Sequence, residues 1–318
     1  MPDRHIRVAR AVTIPDPVRL ERFRHAPELG ARLLFFTGGT GLRGLSRKLV
    51  EYTHHSTHII TPFDSGGSSA KLRKAFRMPA VGDMRNRLMA LADQSVLGNP
   101  EIYSLFAYRF PQEAEPEALS KRLDQMVRGV DSEVKDIPEP MRSIVRRHLG
   151  FFRDAMPKSF DLRGACIGNL VLAGGYLNQG RTLDSVLYLC SPLGEVRGVG
   201  RPVVDKDLHL VARLTNGREI VGQHLLTGKE APAIESPIED IYLSRSRRTS
   251  TPVEPEIPEL VDRLIRSAEL ICFPVGSFYT SLIATLLPKG VSDAIRATDV
   301  PKVYVPNPGH DPEEIGLD

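Results

Sequence analysis

An α/β fold built on a parallel sheet is what this 318-residue sequence predicts, and three features carry the prediction. A short apolar run, Leu33 to Phe36, ends in a cluster of glycines, and apolar residues at helical spacing follow it: Leu42, Leu45 and Leu49. A β-branched run, THIITP (57 to 62), comes next. The whole makes a βαβ unit of about thirty residues, and a crossover of that kind joins parallel strands. The last third repeats the theme, with LICFPVG (270 to 276) as strand then turn, FYTSLIATLL as helix and KVYVPN (302 to 307) as strand.

The remaining elements follow in order. Residues 1–30 are polar and punctuated by proline, and read as an N-terminal extension, an arm or cover outside the domain that fills 31–318. After the βαβ unit, Val81-Gly82-Asp83 breaks the chain, and Asp83 is placed to cap a helix whose apolar stripe is Met84, Leu88 and Leu91. Between about 111 and 160 the chain turns charged with helical spacing, and Pro116 and Pro138 to Pro140 mark helix starts; this reads as a helical insertion. Residues from about 186 to 243 read as β-rich, with a small β-hairpin: HLVARLTNGREIVGQHLL holds two alternating runs joined by Asn216-Gly217, a strong hairpin signal. SRSRRTSTPVEPEIPE (244 to 259) reads as a surface loop whose Arg245, Arg247 and Arg248 either meet an anion or are simply solvated.

Composition removes several function classes. No run of eighteen apolar residues predicts a membrane span, and MPDRHIRVARAVTIPDP lacks the apolar core of a secretory signal. A net charge of +3, with both signs interspersed, gives no reason to invoke nucleic acid or a membrane surface. Cys166, Cys190 and Cys272 are widely spaced and form no CxxC pair, which fits a reducing compartment, with the cytoplasm as the expected location. His54, His55 and His58 straddle a predicted helix end and lack the carboxylate pattern of a metal centre.

Four polar constellations carry the chemistry. The first is Gly39-x-Gly41-x-x-Gly44 between a strand and a helix. Unpaired amides at a helix start favour phosphate, and glycine lets a ligand approach the backbone, although the same glycines suit a tight turn without ligand. It is not a Walker loop, because Leu45-Ser46 follows Gly44 where Lys-Ser/Thr is required. The second is Asp64 followed by Ser65-Gly66-Gly67-Ser68-Ser69, a second nest of amides and hydroxyls. A carboxylate beside phosphate sites is repulsive unless a cation lies between them, so Asp64 is a candidate Mg²⁺ ligand; the alternative is a turn or helix cap. The third is Arg85-Asn86-Arg87 in a first helical turn, where an arginine opposes the helix dipole; a bound anion is one explanation, and a capping Asp83 with exposed arginine is the other. The fourth pairs Gly168-Asn169 with Gly276-Ser277-x-Tyr279-Thr280, each a small-residue turn opening an apolar helix: the second places amides and hydroxyls at a strand's carboxyl edge, where open α/β sheets hold ligands, and Asn169 offers an amide to a base or sugar or else caps its helix. Ser277 and Ser68 lack the G-x-S-x-G elbow of a hydrolase.

Taken together these stretches resemble one family, which joins the 2-phospho-L-lactate transferases (CofD) with the YvcK-type gluconeogenesis and cell-shape factors. The resemblance lies in GGTGL (38 to 42), DSGGSSAKLR (64 to 73), PAVGDMRNRL (79 to 88), IGNL (167 to 170), DLHLVARLTNGREIVGQ (207 to 223), VGSFYTSL and KVYVPN, in that order over about residues 32 to 307. It implies a modified Rossmann-like parallel sheet with helices on both faces, Mg²⁺ as cofactor, a cytoplasmic homodimer, and a nucleotide or nucleotide-linked partner of the GDP/GTP or UDP-sugar type. In the transferase branch, 2-phospholactate passes from a guanosine-diphosphate-linked donor to a deazaflavin alcohol with release of GMP; the YvcK branch resembles a non-catalytic UDP-sugar-binding regulator. By residue, the resemblance implies Asp64 and Asp83 as metal ligands and catalytic carboxylates, with Arg85 bracing a phosphate. It implies that Gly38, Gly39, Thr40, Gly41, Ser65, Gly66, Gly67, Ser68, Ser69, Asn86, Gly168, Asn169, Gly276, Ser277, Tyr279 and Thr280 hold nucleotide or phosphate. Phe63-Asp64-Ser65 departs from the YvcK pattern of two adjacent aspartates, and the insertion is longer than usual, which suits a divergent subgroup.

Overall fold

The computed structural model describes residues 11, 13–95, 98–228, 231–248 and 250–317. Its strands, in chain order, are β1 (Leu33–Thr37), β2 (Thr57–Ile60), β3 (Val199–Pro202), β4 (His209–Leu214), β5 (Glu219–Val221), β6 (Ile238–Ser244), β7 (Pro252–Val253), β8 (Leu270–Phe273) and β9 (Lys302–Tyr304). A five-stranded sheet runs β3-β2-β1-β8-β9 and is parallel throughout, with Leu34 opposite Thr57 on one side and Ile271 on the other. A smaller antiparallel sheet runs β5-β4-β6-β7. The α/β class and the hairpin are as the sequence predicts: β4 and β5 meet through Asn216-Gly217, with Gly217 at φ 82°.

Strand alternation explains why β1 is buried on both faces. Leu34 and Phe36 join Val261 and Ile265 of the Glu259–Arg266 helix and Ala294 of the Val291–Arg296 helix on one side. Phe35 points the other way, towards Leu42 and Leu49 at the Arg43–Leu49 helix, and stacks on His58 with ring centroids 5.0 Å apart. Burial holds His58 well below the usual histidine range, so it is a neutral core residue. His55 is engaged elsewhere, with Nε2 2.6 Å from the Glu28 carbonyl.

The predicted helical insertion contains the Pro116–Arg128 and Met141–Ala155 helices, whose apolar stripes (Leu119, Leu123, Met126; Val145, Leu149, Phe152) are buried with the Ile167–Asn178 helix in a second core. The β-rich reading begins too early: residues from 186 onward lie in the Leu183–Leu193 helix, and strand structure starts only at Val199. Leu183, Val186, Leu187, Cys190 and Leu193 recur with helical spacing and are buried, and Val186 is the only β-branched residue of the run, so the segment is a helix. In the extension, Pro17–His25 is a helix capped by Asp16, whose Oδ1 accepts from the Arg19 amide at 3.0 Å, and it buries none of its residues. Residues 1–10 and 12 of that extension lie outside the described residues. The predicted loop after β6 contributes β7, with Thr249 outside the described residues. No helix among the described residues is long and apolar enough to cross a membrane.

Candidate functional site

Because every strand of the main sheet is parallel, the loops after β1, β2 and β8 emerge at one edge. The chain leaves β1 towards β2 on one side and later returns to β8 on the other, so a crevice opens between the β1 and β8 loops, as at the switch point of open α/β sheets. A cleft of about 270 Å³ lies there. It is lined by Thr37 to Leu42, Asp64, Gly66, Asp83, Gln223, His224, Thr227, Val275, Gly276, Ser277 and Ser281.

The absence of side chains lets these loops close on one another. A Cβ on Gly38 would overlap Ser281 Oγ, and one on Gly41 would stand 3.3 Å from both Gly276 Cα and the Val275 carbonyl. A Cβ on Gly39 would overlap Asp83 Oδ1. Gly39→Ala is therefore expected to displace the Asp83 carboxylate with a small loss of stability. A crystal structure of the variant beside a thermal melt would check this, and an unmoved Asp83 carboxylate would show that the missing side chain is not what admits it.

Two carboxylates reach the cleft from different segments. Asp64 follows β2, and its Oδ1 accepts the Gly66 amide at 3.0 Å, which shapes the turn into the Gly67–Phe76 helix. Buried Arg73 holds this turn from beneath: its guanidinium donates to the Phe63 and Asp64 carbonyls at 3.0 Å each, to Asp207 Oδ1 at 2.7 Å and to His209 Nδ1 at 3.0 Å. Burial first, then Arg73, holds His209 down at about 4, so a neutral imidazole accepts from the guanidinium. Asp83 is not the helix cap expected from sequence. The helix is Gly82–Leu91 with Val81 at its N-cap, and Asp83 lies in the first turn, largely buried and turned towards Gly39. Gly82 lets the start of this helix pack against the Asp64 loop, since a Cβ there would stand 2.7 Å from Ser69 Oγ and 3.6 Å from Asp64 Oδ2.

The predicted residues divide into two sets. Gly38, Gly39, Thr40, Gly41, Asp64, Gly66, Asp83, Gly276 and Ser277 line the cleft. The others do not. Ser65 bonds His224, and Ser68 Oγ accepts the Cys166 amide at 3.4 Å. Gly67, at φ 46°, opens a helix, and Ser69 packs against Gly82. Arg85 is buried and donates to the Phe106 carbonyl at 3.0 Å, to Cys166 Sγ at 2.7 Å and to Asn86 Oδ1 at 2.5 Å, so it braces the neighbouring helix start and not the cleft wall. Gly168 makes room for that arrangement, since a Cβ would meet the Phe106 carbonyl at 2.7 Å; Asn169 is buried beside it. The amides of Tyr279 and Thr280, expected to face a ligand, are taken by the chain's own Glu313 Oε2 at 3.0 and 2.8 Å, and Asp311 takes that of Phe278 at 2.9 Å. Burial pushes Glu313 above the usual carboxylate range, while the Thr280 hydroxyl and amide pull it back.

The sequence reading missed Arg87 as a structural cation and missed the whole wall formed by Gln223, His224 and Thr227. Arg87 is fully buried and donates to the Ser46 hydroxyl, to Thr37 Oγ1 at 2.8 Å and to the carbonyls of Gly38 and Gly39 at 3.3 and 3.4 Å. Burial lowers its guanidinium to about 10 against the attraction of Asp83, so it stays charged at neutral pH. The cleft wall itself therefore carries two aspartates and a histidine but, among the described residues, no lysine or arginine.

Comparison with known proteins gives a consistent set of relatives. The family described as 2-phospho-L-lactate transferase CofD matches residues 33–316. The putative gluconeogenesis factor of Thermoanaerobacterium thermosulfurigenes is 31% identical over 291 residues, covering 91% of this chain and 71% of that protein. The gluconeogenesis factor of Listeria monocytogenes is 28% identical over 280 residues, covering 88% and 67%. The chain spans 66% of the Thermotoga maritima putative gluconeogenesis factor and 47% of that of Nostoc. Among solved structures, a UPF0052 family protein from Bacillus halodurans superposes with a TM-score of 0.62 at 26% identity, covering 86% of this chain and 68% of the other.

Proposed function

This chain belongs to the CofD family, and from that premise we propose that the switch-point cleft binds a nucleotide-linked phosphate ester together with Mg²⁺ and transfers a phospho-group from it. The observation that carries the reading is the pairing of Asp64 with Asp83 on a glycine-walled cleft whose described lining has no cationic side chain. Backbone amides attract phosphate, while two carboxylates repel it; a divalent cation between them resolves the conflict. The donor set fits that ion. No group of three His, Cys, Asp or Glu side chains is poised for a metal among the described residues. Mg²⁺ suits such a site because it is commonly held by one or two carboxylates with phosphate oxygens and water completing its shell. When bound, it would neutralise charge developing on the transferred group.

The protein's own part is positioning. Gly38 to Gly41 would hold the phosphates, Ser277 and Ser281 would close the β8 side, and Asp64 and Asp83 would fix the metal. In the transfer, an acceptor hydroxyl oxygen bonds the phosphorus, the phosphorus–bridging-oxygen bond breaks, and the nucleoside monophosphate leaves with the electron pair; the hydroxyl proton passes to solvent. A second reading, a nucleotide-binding regulator, is favoured by the relatives named gluconeogenesis factors and by the commitment of Arg85 and Arg87 to internal contacts.

Titration with GDP, GTP and UDP-N-acetylglucosamine, each with Mg²⁺ or with EDTA, tests both. Mg²⁺ is expected to tighten binding at least about tenfold, and a guanosine-diphosphate-linked donor offered with an alcohol acceptor is expected to release GMP. Equal affinity in EDTA would remove the metal from the site. Tight Mg²⁺-independent UDP-sugar binding without product would establish the regulator in place of the transferase.

A further inference from the structure

We propose that His224 is the residue of the facing wall that meets the ligand's phosphate, and that it does so as a neutral Nε2–H donor whose tautomer is set by Ser65. This rests on the reading of the cleft as a phosphate site and names a side-chain donor for it in a described lining that has no lysine or arginine.

The argument starts from the Ser65 hydroxyl, which is buried. Among the described residues Ser65 Oγ bonds only His224, accepting the His224 backbone amide at 3.4 Å and lying 2.7 Å from the His224 Nδ1. A buried hydroxyl needs an acceptor for its own proton, and Nδ1 is the one within reach. Ser65 therefore donates to Nδ1, which must carry a lone pair, and the remaining ring proton sits on Nε2.

The ring's orientation agrees. A Cβ on Gly222 would lie 3.1 Å from His224 Nδ1 and Cε1 and 3.1 Å from Ser65 Oγ, so that edge of the ring is packed against Gly222 and Ser65. Gly222 adopts φ 116°, which a side chain would resist, and so brings the Gln223–Leu225 turn against the Asp64–Gly66 loop. His224 is half-buried and lines the cleft, and Nε2 is the ring nitrogen that Ser65 does not engage. With Asp64 and Asp83 it completes the ionisable groups of the described lining. A phosphate held by amides and a metal on one wall thus finds the His224 Nε2–H on the other, beside the Gln223 and Thr227 side chains. The sequence separates the two partners by 159 residues, and only the docking of the small sheet on the main one unites them.

The test is a two-bond ¹H–¹⁵N spectrum of the full chain labelled at histidine, with His224 assigned by difference from His224→Gln, titrated with Mg²⁺ and inorganic pyrophosphate. The expected result is the Nε2–H tautomer in the free protein, a shift of that signal on pyrophosphate addition, and a mixture of tautomers in Ser65→Ala. Affinity for Mg²⁺-pyrophosphate should fall about tenfold in His224→Phe, the loss expected of one hydrogen bond to a charged group, and mostly return in His224→Gln, which keeps an amide donor near Nε2. The Nδ1–H tautomer, or pyrophosphate binding that leaves the His224 signal unmoved, would overturn the assignment while sparing the phosphate site. Absence of any pyrophosphate binding to the unsubstituted protein would overturn the phosphate site and this donor with it.

Discussion

Asp64→Asn is expected to lower transfer at least about 100-fold and to erase the Mg²⁺ dependence of nucleotide binding, with the fold intact. The separation of function from stability follows from what each carboxylate oxygen does. Oδ1 accepts the Gly66 amide at 3.0 Å, and an asparagine carbonyl can keep that bond and the turn. The side chain is only half-buried, so loss of its charge leaves no buried cation unpaired. Arg73, which holds the Asp64 carbonyl, keeps its ion pair with Asp207. What asparagine cannot supply is the negative charge that draws a divalent cation against the phosphates, and removing one preorganised electrostatic group typically costs a factor of 10² to 10³. The measurement is single-turnover release of nucleoside monophosphate, with binding followed in Mg²⁺ and in EDTA and the melt recorded alongside. Turnover within tenfold of the unsubstituted protein would remove Asp64 from the metal site; a shared loss of turnover and melting temperature would recast it as a turn residue.

What could be read in the sequence divides along a physical line. The strand–glycine–helix of residues 33–49 is local, since apolar periodicity and glycine conformational freedom both act within a few residues, and β1 and its helix form there. The Asn216-Gly217 hairpin is local for the same reason. The family's ordered motifs add the long-range part for the glycine loop, Asp64 and Asp83, which one cleft now unites. Three things stayed hidden. The Leu183–Leu193 helix was merged with the strands because it ends only a few residues before Val199, where they begin. Arg85 and the Tyr279–Thr280 amides look like ligand groups because their type suits anions, yet Phe106, Cys166 and Glu313, all distant in sequence, already engage them. His224 gave no signal, because its partner Ser65 belongs to another sheet's loop. Residue type tells which groups need partners; only tertiary packing decides whether those partners come from the chain or from a ligand.

Arg87→Met is expected to be the most destabilising single change in the site, at about 3–5 kcal/mol. Methionine has nearly the volume and flexibility to fill the space, so the cost is not a cavity. It lies in the acceptors left behind: the Ser46 and Thr37 hydroxyls and the Gly38 and Gly39 carbonyls converge on this guanidinium in a fully buried place. Buried polar groups stripped of a partner cost roughly 1–3 kcal/mol each. Asp83 loses the nearby positive charge that its own ionised form attracts. Replacing a whole buried ion pair by apolar residues can be neutral, but here only one partner is removed. Arg87→Met combined with Asp83→Asn should therefore cost less than the sum of the two alone, as coupled neighbours do. Arg87→Lys keeps the charge without the fork that reaches both Ser46 and the glycine carbonyls, and should fall between. Urea unfolding gives the answer through a lower midpoint at unchanged slope. An unfolding free energy within about 1 kcal/mol of the unsubstituted protein's, about the net worth of a single hydrogen bond, would mean that the glycine loop holds its shape unaided. In that case the glycine loop would be positioned by the β1–β8 glycine contacts alone, and the buried arginine would have to be explained by something other than the glycine loop above it.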